Sequence, residues 1–272
     1  MLIRLGYELQ FEIPAKVSML TMLYVHPSRI AELVEPDEMR VEPDVPVEDY
    51  IDGFGNRVAR FVAPEGALRL TGTTLINDPG TTDAVNLAAK EVPVEELPND
   101  VLQFLLNSRY CEVDRLSATA VELFGWMEPG WSRVQGICDW VHYKVTFGYH
   151  HARPSKTALD VYTERVGVCR DFQHLVITFC RALNIPARYA TGYLGDIGVP
   201  KRPPGDFSAW FEVYLDGQWW VFDARNNIPR QGRVVMAVGR DASDVAMTTS
   251  FGIANLVGFN VISQVEPSVQ TS

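Results

Sequence analysis

The stretch Gly167-Val168-Cys169-Arg170-Asp171-Phe172 opens an apolar run that closes at Asn184-Ile185-Pro186. Apolar residues recur at Cys169, Phe172, Val176, Phe179 and Leu183. Steps of three and four put all five on one face of a helix. Cys169 then stands in the first turn, where unpaired N–H groups and the positive end of the helix dipole favour an anion. The expected chemistry is a thiol of depressed pKa acting as a nucleophile. Free cysteine is also among the most buried residue types, so from this stretch alone a packing role stays open.

A nucleophilic thiol needs a proton acceptor and a group to orient it. Residues 207–215 and 218–224 flank Asp216-Gly217, a strong hairpin signal. A two-residue turn sets Leu215 opposite Gln218 and, counting back, Trp210 opposite Asp223. Ser208 shares that sheet face, diagonal to Asp223 at roughly 7–8 Å between backbones. Serine is too short to bridge that gap and has no proton affinity near neutral pH with which to replace an imidazole. The alternative reading of Asp223 is a strand-end carboxylate in water. His174, five residues after Cys169, lies about 140° around the helix from it. His150 and His151 reach the thiol only by tertiary contact, His142 reads as a helix-surface or packed residue, and His26 stands alone.

These residues need a scaffold. Ile3, Leu5, Tyr7, Leu9, Phe11 and Ile13 alternate with Arg4, Glu8, Gln10 and Glu12, the period of a strand with one buried face. Residues 19–25, 57–61 and 68–76 are further strand candidates, separated by the acidic, proline-bearing segment 35–50 and by the turn 52–56. Around 93–100 the pattern changes to helical spacing, with helices expected at 99–108, 114–127, 129–143 and 155–165. Strands are expected at 187–194 and 233–238, and residues 195–205 read as a mobile surface loop. The expected fold class is α+β: an antiparallel β-sandwich-like domain over 1–97, a core of helices packed on an antiparallel sheet over 98–264, and a flexible tail over 265–272.

With 34 acidic and 24 basic side chains the net charge is -10, which argues against nucleic acid or an anionic membrane as the main partner. Cys111, Cys138, Cys169 and Cys180 show no CxxC spacing, so neither a zinc site nor a disulfide framework is expected. No ligand spacing implies calcium, another metal or a cofactor. The N-terminus alternates instead of forming an apolar block after a basic start, and the expected location is cytoplasmic. Nothing in the sequence specifies the oligomeric state.

GVCRDF followed by HL and CRALNIPARY, then DFSAWFEVYLDGQWWVFDAR, resembles the bacterial branch of the transglutaminase-like superfamily, described as cysteine proteases. The match spans most of 100–250, and the opening strands resemble the β-domain that accompanies this branch. The resemblance implies a papain-like core with Cys169 as nucleophile, Asp223 as the carboxylate that orients the base, and histidine at the position of Ser208. In that chemistry the thiolate attacks a peptide or isopeptide amide, imidazole protonates the leaving amine, and water or an amine resolves the thioester. Hydrolysis is expected over cross-linking, because no amine site is visible. The family commonly reads Asp-Phe-His where this chain reads Asp206-Phe207-Ser208. Some relatives with serine there read Ala-Arg-His-Asn after the aspartate, whereas this chain reads Ala224-Arg225-Asn226-Asn227. Either Ser208 is an engineered inactivating change, or this is a natural branch that has altered or lost the chemistry. Two functions follow as expectations: a cysteine amidase with a peptide or protein substrate, impaired at its base, or an inactive module that binds peptide or protein in the same groove.

Overall fold

The computed structural model describes residues 1–200 and 205–267. Strand β1 (Leu2–Ile13) buries Ile3, Leu5, Tyr7, Leu9, Phe11 and Ile13, as its alternation predicts. It is followed by β2 (Val17–Thr21), β3 (Glu38–Glu42), β4 (Val47–Ile51), β5 (Arg57–Ala63) and β6 (Gly66–Asn77). The chain then forms α1 (Val113–Phe124), α2 (Trp131–Lys144), β7 (Thr146–Phe147), α3 (Ala158–Glu164), β8 (Val166–Gly167) and α4 (Cys169–Ala182). The remaining strands are β9 (Ala187–Leu194), β10 (Phe207–Leu215), β11 (Gln218–Phe222), β12 (Arg233–Gly239), β13 (Thr248–Ser250) and β14 (Asn255–Val265).

The first β-unit is two sheets, ordered β14-β1-β6-β3 and β13-β2-β5-β4. Several sequence expectations change here. Strands β3 and β4 lie inside the segment 35–50 read as a separator, and every residue of β4 is exposed, so no alternation betrays it. The chain after 247 leaves the helical core: β13 pairs with β2, and β14 runs along β1 from Glu12↔Asn255 to Ile3↔Val265. The core expected over 98–264 therefore ends before β13. The tail expected from 265 is tied down at its start, where Glu266 N–H donates to Leu2 O at 3.0 Å and the Glu266 carboxylate takes Arg4 Nε at 2.8 Å. Residues 268–272 of that tail, and 201–204 of the loop expected at 195–205, lie outside the described residues. The helix expected at 99–108 is a single 3-10 turn, Leu102–Leu105. So short a segment gains little from its own hydrogen bonds. It is held instead by buried Phe104, which meets Trp219 edge-on at 5.3 Å.

In the second unit the sheet order is β11-β10-β9-β12, all antiparallel. Helix α4 lies across it: Phe172, Val176 and Phe179 share one core with Ala209, Phe211 and Val213 of β10, with Cys169 and Leu183 partly buried at its margin. Trp210 faces the other way, against Ala190 and Val238. The hairpin register is the one the Asp216-Gly217 turn predicts, from Leu215↔Gln218 to Phe211↔Phe222. Strand β11 stops there while β10 continues back to Phe207, so its edge at Ala209 is left without a neighbouring strand.

Candidate active site

Helix α4 starts abruptly. The parallel pair Phe147↔Gly167 brings the chain in as a strand, and Val168 leaves it extended immediately before Cys169. The Asp171 carboxylate reaches back to Val168 N–H at 2.9 Å, satisfying one orphan donor of the helix N-terminus. Gly167 makes room for this: a Cβ there would stand 2.7 Å from Asp171 Cβ. The Cys169 sulfur then meets the open edge of β10. Residues 208 and 210 hydrogen-bond toward β9, so by ladder alternation the N–H and C=O of Ala209 point the opposite way, to the side β11 has vacated. Side chains one helical turn apart on α4 take these groups. Ala209 N–H faces the Cys169 sulfur, and Gln173 Nε2 donates to Ala209 O at 3.2 Å.

The environment of the thiol reverses the sequence expectation. Burial pushes the Cys169 pKa up to about 11, and the Asp206 carboxylate adds to the rise; Arg225 and the N–H groups of Arg170 and Ala209 oppose it without prevailing. A helix terminus contributes only a fraction of a charge, which desolvation of a thiolate among protein atoms outweighs. Asp206 is itself raised by burial, and Tyr149 Oη–H points at it from 3.5 Å.

Asp223 sits at the end of β11, and both its oxygens are occupied. Oδ1 accepts from Gln173 Nε2 at 3.1 Å and from the N–H groups of Arg225 and Asn226 at 3.0 and 3.1 Å. Oδ2 accepts from Asn226 Nδ2 at 2.8 Å and from Arg233 at 3.3 Å. Arg233 lies over the Trp210 ring at 4.7 Å and also pairs with Asp83 at 3.0 Å. Asp223 is thus a buried anchor and not a strand-end carboxylate in water. Ser208 is buried across from Gly192, and among the described residues its hydroxyl makes no hydrogen bond to Asp223. Gly192 is required at that point, since a Cβ would lie 2.1 Å from Val234 O and 2.9 Å from the Trp210 ring.

The histidines are turned to other tasks. His174 is buried against Tyr110, stacked at 4.9 Å, and its Nε2 accepts from Ala242 N–H at 3.1 Å, away from the thiol as the helical angle predicts. His142, exposed on α2, donates from Nδ1 to Ala224 O at 3.0 Å. His150 and His151 lie ring against ring at 3.8 Å in the turn after Phe147. Among the described residues no imidazole stands within hydrogen-bond distance of the Cys169 sulfur, and no group of His, Cys, Asp and Glu is arranged to hold a metal ion. Sequence reasoning did not single out Gln173, Arg233 or Asp206. Gln173 was findable in principle, because it follows Cys169 by one helical turn and shares its face.

Cys169 thus stands at the start of a core helix laid against an antiparallel sheet, and the strand neighbouring its β10 contact runs up to Asp223, within an α+β core. The model of the transglutaminase-like superfamily matches residues 117–224, which contain every one of these positions. A crystal structure of a candidate cysteine protease from Cytophaga hutchinsonii is 31% identical, with a TM-score of 0.84 over 97% of this chain and 90% of that one. An uncharacterised protein of Mycobacterium leprae is 28% identical over 208 residues, 72% of this chain and 73% of its own length. The periplasmic domain of TgpA from Pseudomonas aeruginosa aligns at 14% identity and a TM-score of 0.43, over 82% of this chain and 90% of that one. The chain belongs to the transglutaminase-like superfamily.

Proposed function

We propose that this chain holds peptide or isopeptide amides in the groove at Cys169 and turns them over slowly or not at all. The observation that carries this reading is the occupancy of Asp223: amide and guanidinium donors fill the lone pairs that would orient an imidazole, and the thiol it would serve stays protonated near neutral pH. Loss of the histidine base of a triad removes on the order of six powers of ten in rate while leaving oxyanion stabilisation and substrate binding. The N–H groups of Arg170 and Ala209 at the sulfur support residual cysteine amidase chemistry as the second reading, since they suit a developing negative charge.

Fluorescent peptide amides test the proposal. Binding by anisotropy is expected to survive Cys169→Ala, and wild-type cleavage is expected to stay near the uncatalysed rate. Cleavage with a burst, abolished by Cys169→Ala, would move the assignment to an active amidase. Absence of binding across a varied peptide set would remove the groove reading.

A further inference from the structure

Arg225 lies within electrostatic range of the Cys169 thiol, and no carboxylate among the described residues is ion-paired with it. Its guanidinium carbon lies 4.1 Å above the Phe147 ring centroid. Among the described residues no Asp or Glu pairs with it, whereas Arg170, Arg188, Arg230, Arg233 and Arg240 near the same sheet are all ion-paired. The side chain is half-buried and its backbone is fixed: Arg225 N–H donates to Asp223 Oδ1 at 3.0 Å, and Asn227 N–H donates to Asp223 O at 2.7 Å with Asn227 left-handed at φ 53°. Phe147 is fixed as well, by the Phe147↔Gly167 pairing that leads into Cys169 and by Tyr149 edge-on at 5.2 Å. Arg225 is felt electrostatically at Cys169, Asp206 and Tyr149, so its charge belongs to the mouth of the thiol site. Asp206 lies within electrostatic range of Arg225 but forms no ion pair with it, and its carboxylate takes the Tyr149 hydroxyl instead.

An arginine whose guanidinium carbon lies over an aromatic ring can keep N–H groups of its fork free, and these match a carboxylate in two parallel hydrogen bonds. In a chain of net charge -10 a cation with no ion-pair partner among the described residues is a local exception. At the sulfur itself Asp206 outweighs it, so anion recognition rests on the hydrogen-bonding fork of Arg225 and not on a net positive field. We infer that Arg225 over Phe147 is an anion-recognising subsite of the Cys169 groove, and that the preferred ligand is a peptide carrying a carboxylate close to the amide held at the thiol. The inference deepens the amide-groove reading and rests on it for the ligand's identity, while the anion preference itself can be read from the thiol alone.

Two alkylating agents of the same size separate charge from reactivity. In each, thiolate sulfur displaces iodide from a CH2 group, forming a thioether, and the thiol proton passes to solvent. Because both reagents draw on the same thiolate fraction, the ratio of iodoacetate to iodoacetamide rates at Cys169, followed by peptide mass mapping, is independent of the thiol pKa. That ratio is expected to exceed the ratio for the same thiol in the urea-unfolded chain by about five- to tenfold at low salt, to shrink as salt screens it, to survive in Arg225→Lys and to fall to the unfolded value in Arg225→Gln. A native ratio equal to the unfolded one, or one retained in Arg225→Gln, overturns the subsite. Peptide pairs then fix the source of the carboxylate: internal Glu against Gln, and free against amidated C-terminus, each scored by anisotropy. Preference within the first pair assigns a side chain, and preference within the second assigns a chain end. Equal affinities in both pairs overturn the carboxylate ligand while leaving the amide groove standing. Failure of every peptide removes the groove reading, with the alkylation ratio still deciding the subsite.

Discussion

Asn226 Nδ2 donates to Asp223 Oδ2 at 2.8 Å, the bond that a ring N–H would make in a cysteine–histidine–aspartate site. Residue 226 is also the position at which the family resemblance leads one to expect histidine when position 208 is serine. The Asn226 amide satisfies the carboxylate as a donor and has no proton affinity to offer the thiol.

Asn226→His is expected to raise amide cleavage by on the order of a hundredfold or more, because general acid–base catalysis by a positioned group contributes about 10²–10⁴ in rate. Ser208→His alone is expected to gain less. Its imidazole would have to displace Asn226 or Arg233 from a carboxylate with no vacant lone pair. Initial rates on a common peptide amide decide the order, and a larger gain from Ser208→His would relocate the base to strand β10.

The thiol gives a second prediction. With the Cys169 pKa near 11, its alkylation rate is expected to climb about tenfold per pH unit from 7 to beyond 9 with no plateau, whereas the unfolded chain levels off near 8.5. Asp206→Asn removes a charge that raises the pKa and is expected to speed alkylation at pH 8 several-fold; Arg225→Gln removes one that lowers it and is expected to slow it. In stability terms a raised thiol pKa supports the fold below the unfolded value and loses that support as pH rises toward 11. A plateau below pH 9 would show that the helix N-terminus prevails after all.

What the sequence made legible was local. The helix start at Cys169 and the register around Asp216-Gly217 follow from spacing within a few residues, and both stand in the structure. The face of α4 that meets the sheet was legible too, because its apolar steps follow the helical period. Strands β4 and β14 were not, because their exposed faces carry no alternation, and β14 finds its partner at the opposite end of the chain. The state of Asp223 was hidden for the same reason. Gln173 reaches it from 50 residues away, and Arg233 reaches it from a strand whose position the hairpin alone does not fix. The sign of the Cys169 pKa shift depends on burial, which is a tertiary quantity with no signature in the Gly167–Phe172 stretch.

Asp223 is expected to matter for stability as well as for the site. Asp223→Ala would strand Arg233, Gln173 and Asn226 donors in the interior, and removing one partner of a buried charge pair costs about 3–5 kcal/mol. Asp83 also holds Arg233, at 3.0 Å, so the lower end of that range is expected. Urea unfolding measures it, and Asp83→Ala combined with Asp223→Ala is expected to cost more than the sum of the two, since only the double variant leaves Arg233 with no anion. Strict additivity would mean that Arg233 reaches water in the single variants.

His174 makes the acid limb of stability testable. Burial pushes its pKa down to about 3, Arg170 and Arg181 act in the same direction, and Asp241 opposes them. The folded chain therefore keeps His174 neutral where the unfolded chain protonates it. That difference supports the fold above the unfolded value of about 6.5 and is lost progressively as pH falls toward 3. Its steepest contribution is one proton, about 1.4 kcal/mol per pH unit. His174→Gln keeps an acceptor for Ala242 N–H and does not titrate, so its unfolding free energy is expected to change less between pH 6.5 and 4 than the wild type's. His26, also lowered by burial, adds the same sign to both proteins and cancels in the difference. Parallel pH profiles for the two chains would show that His174 is already solvated in the native state.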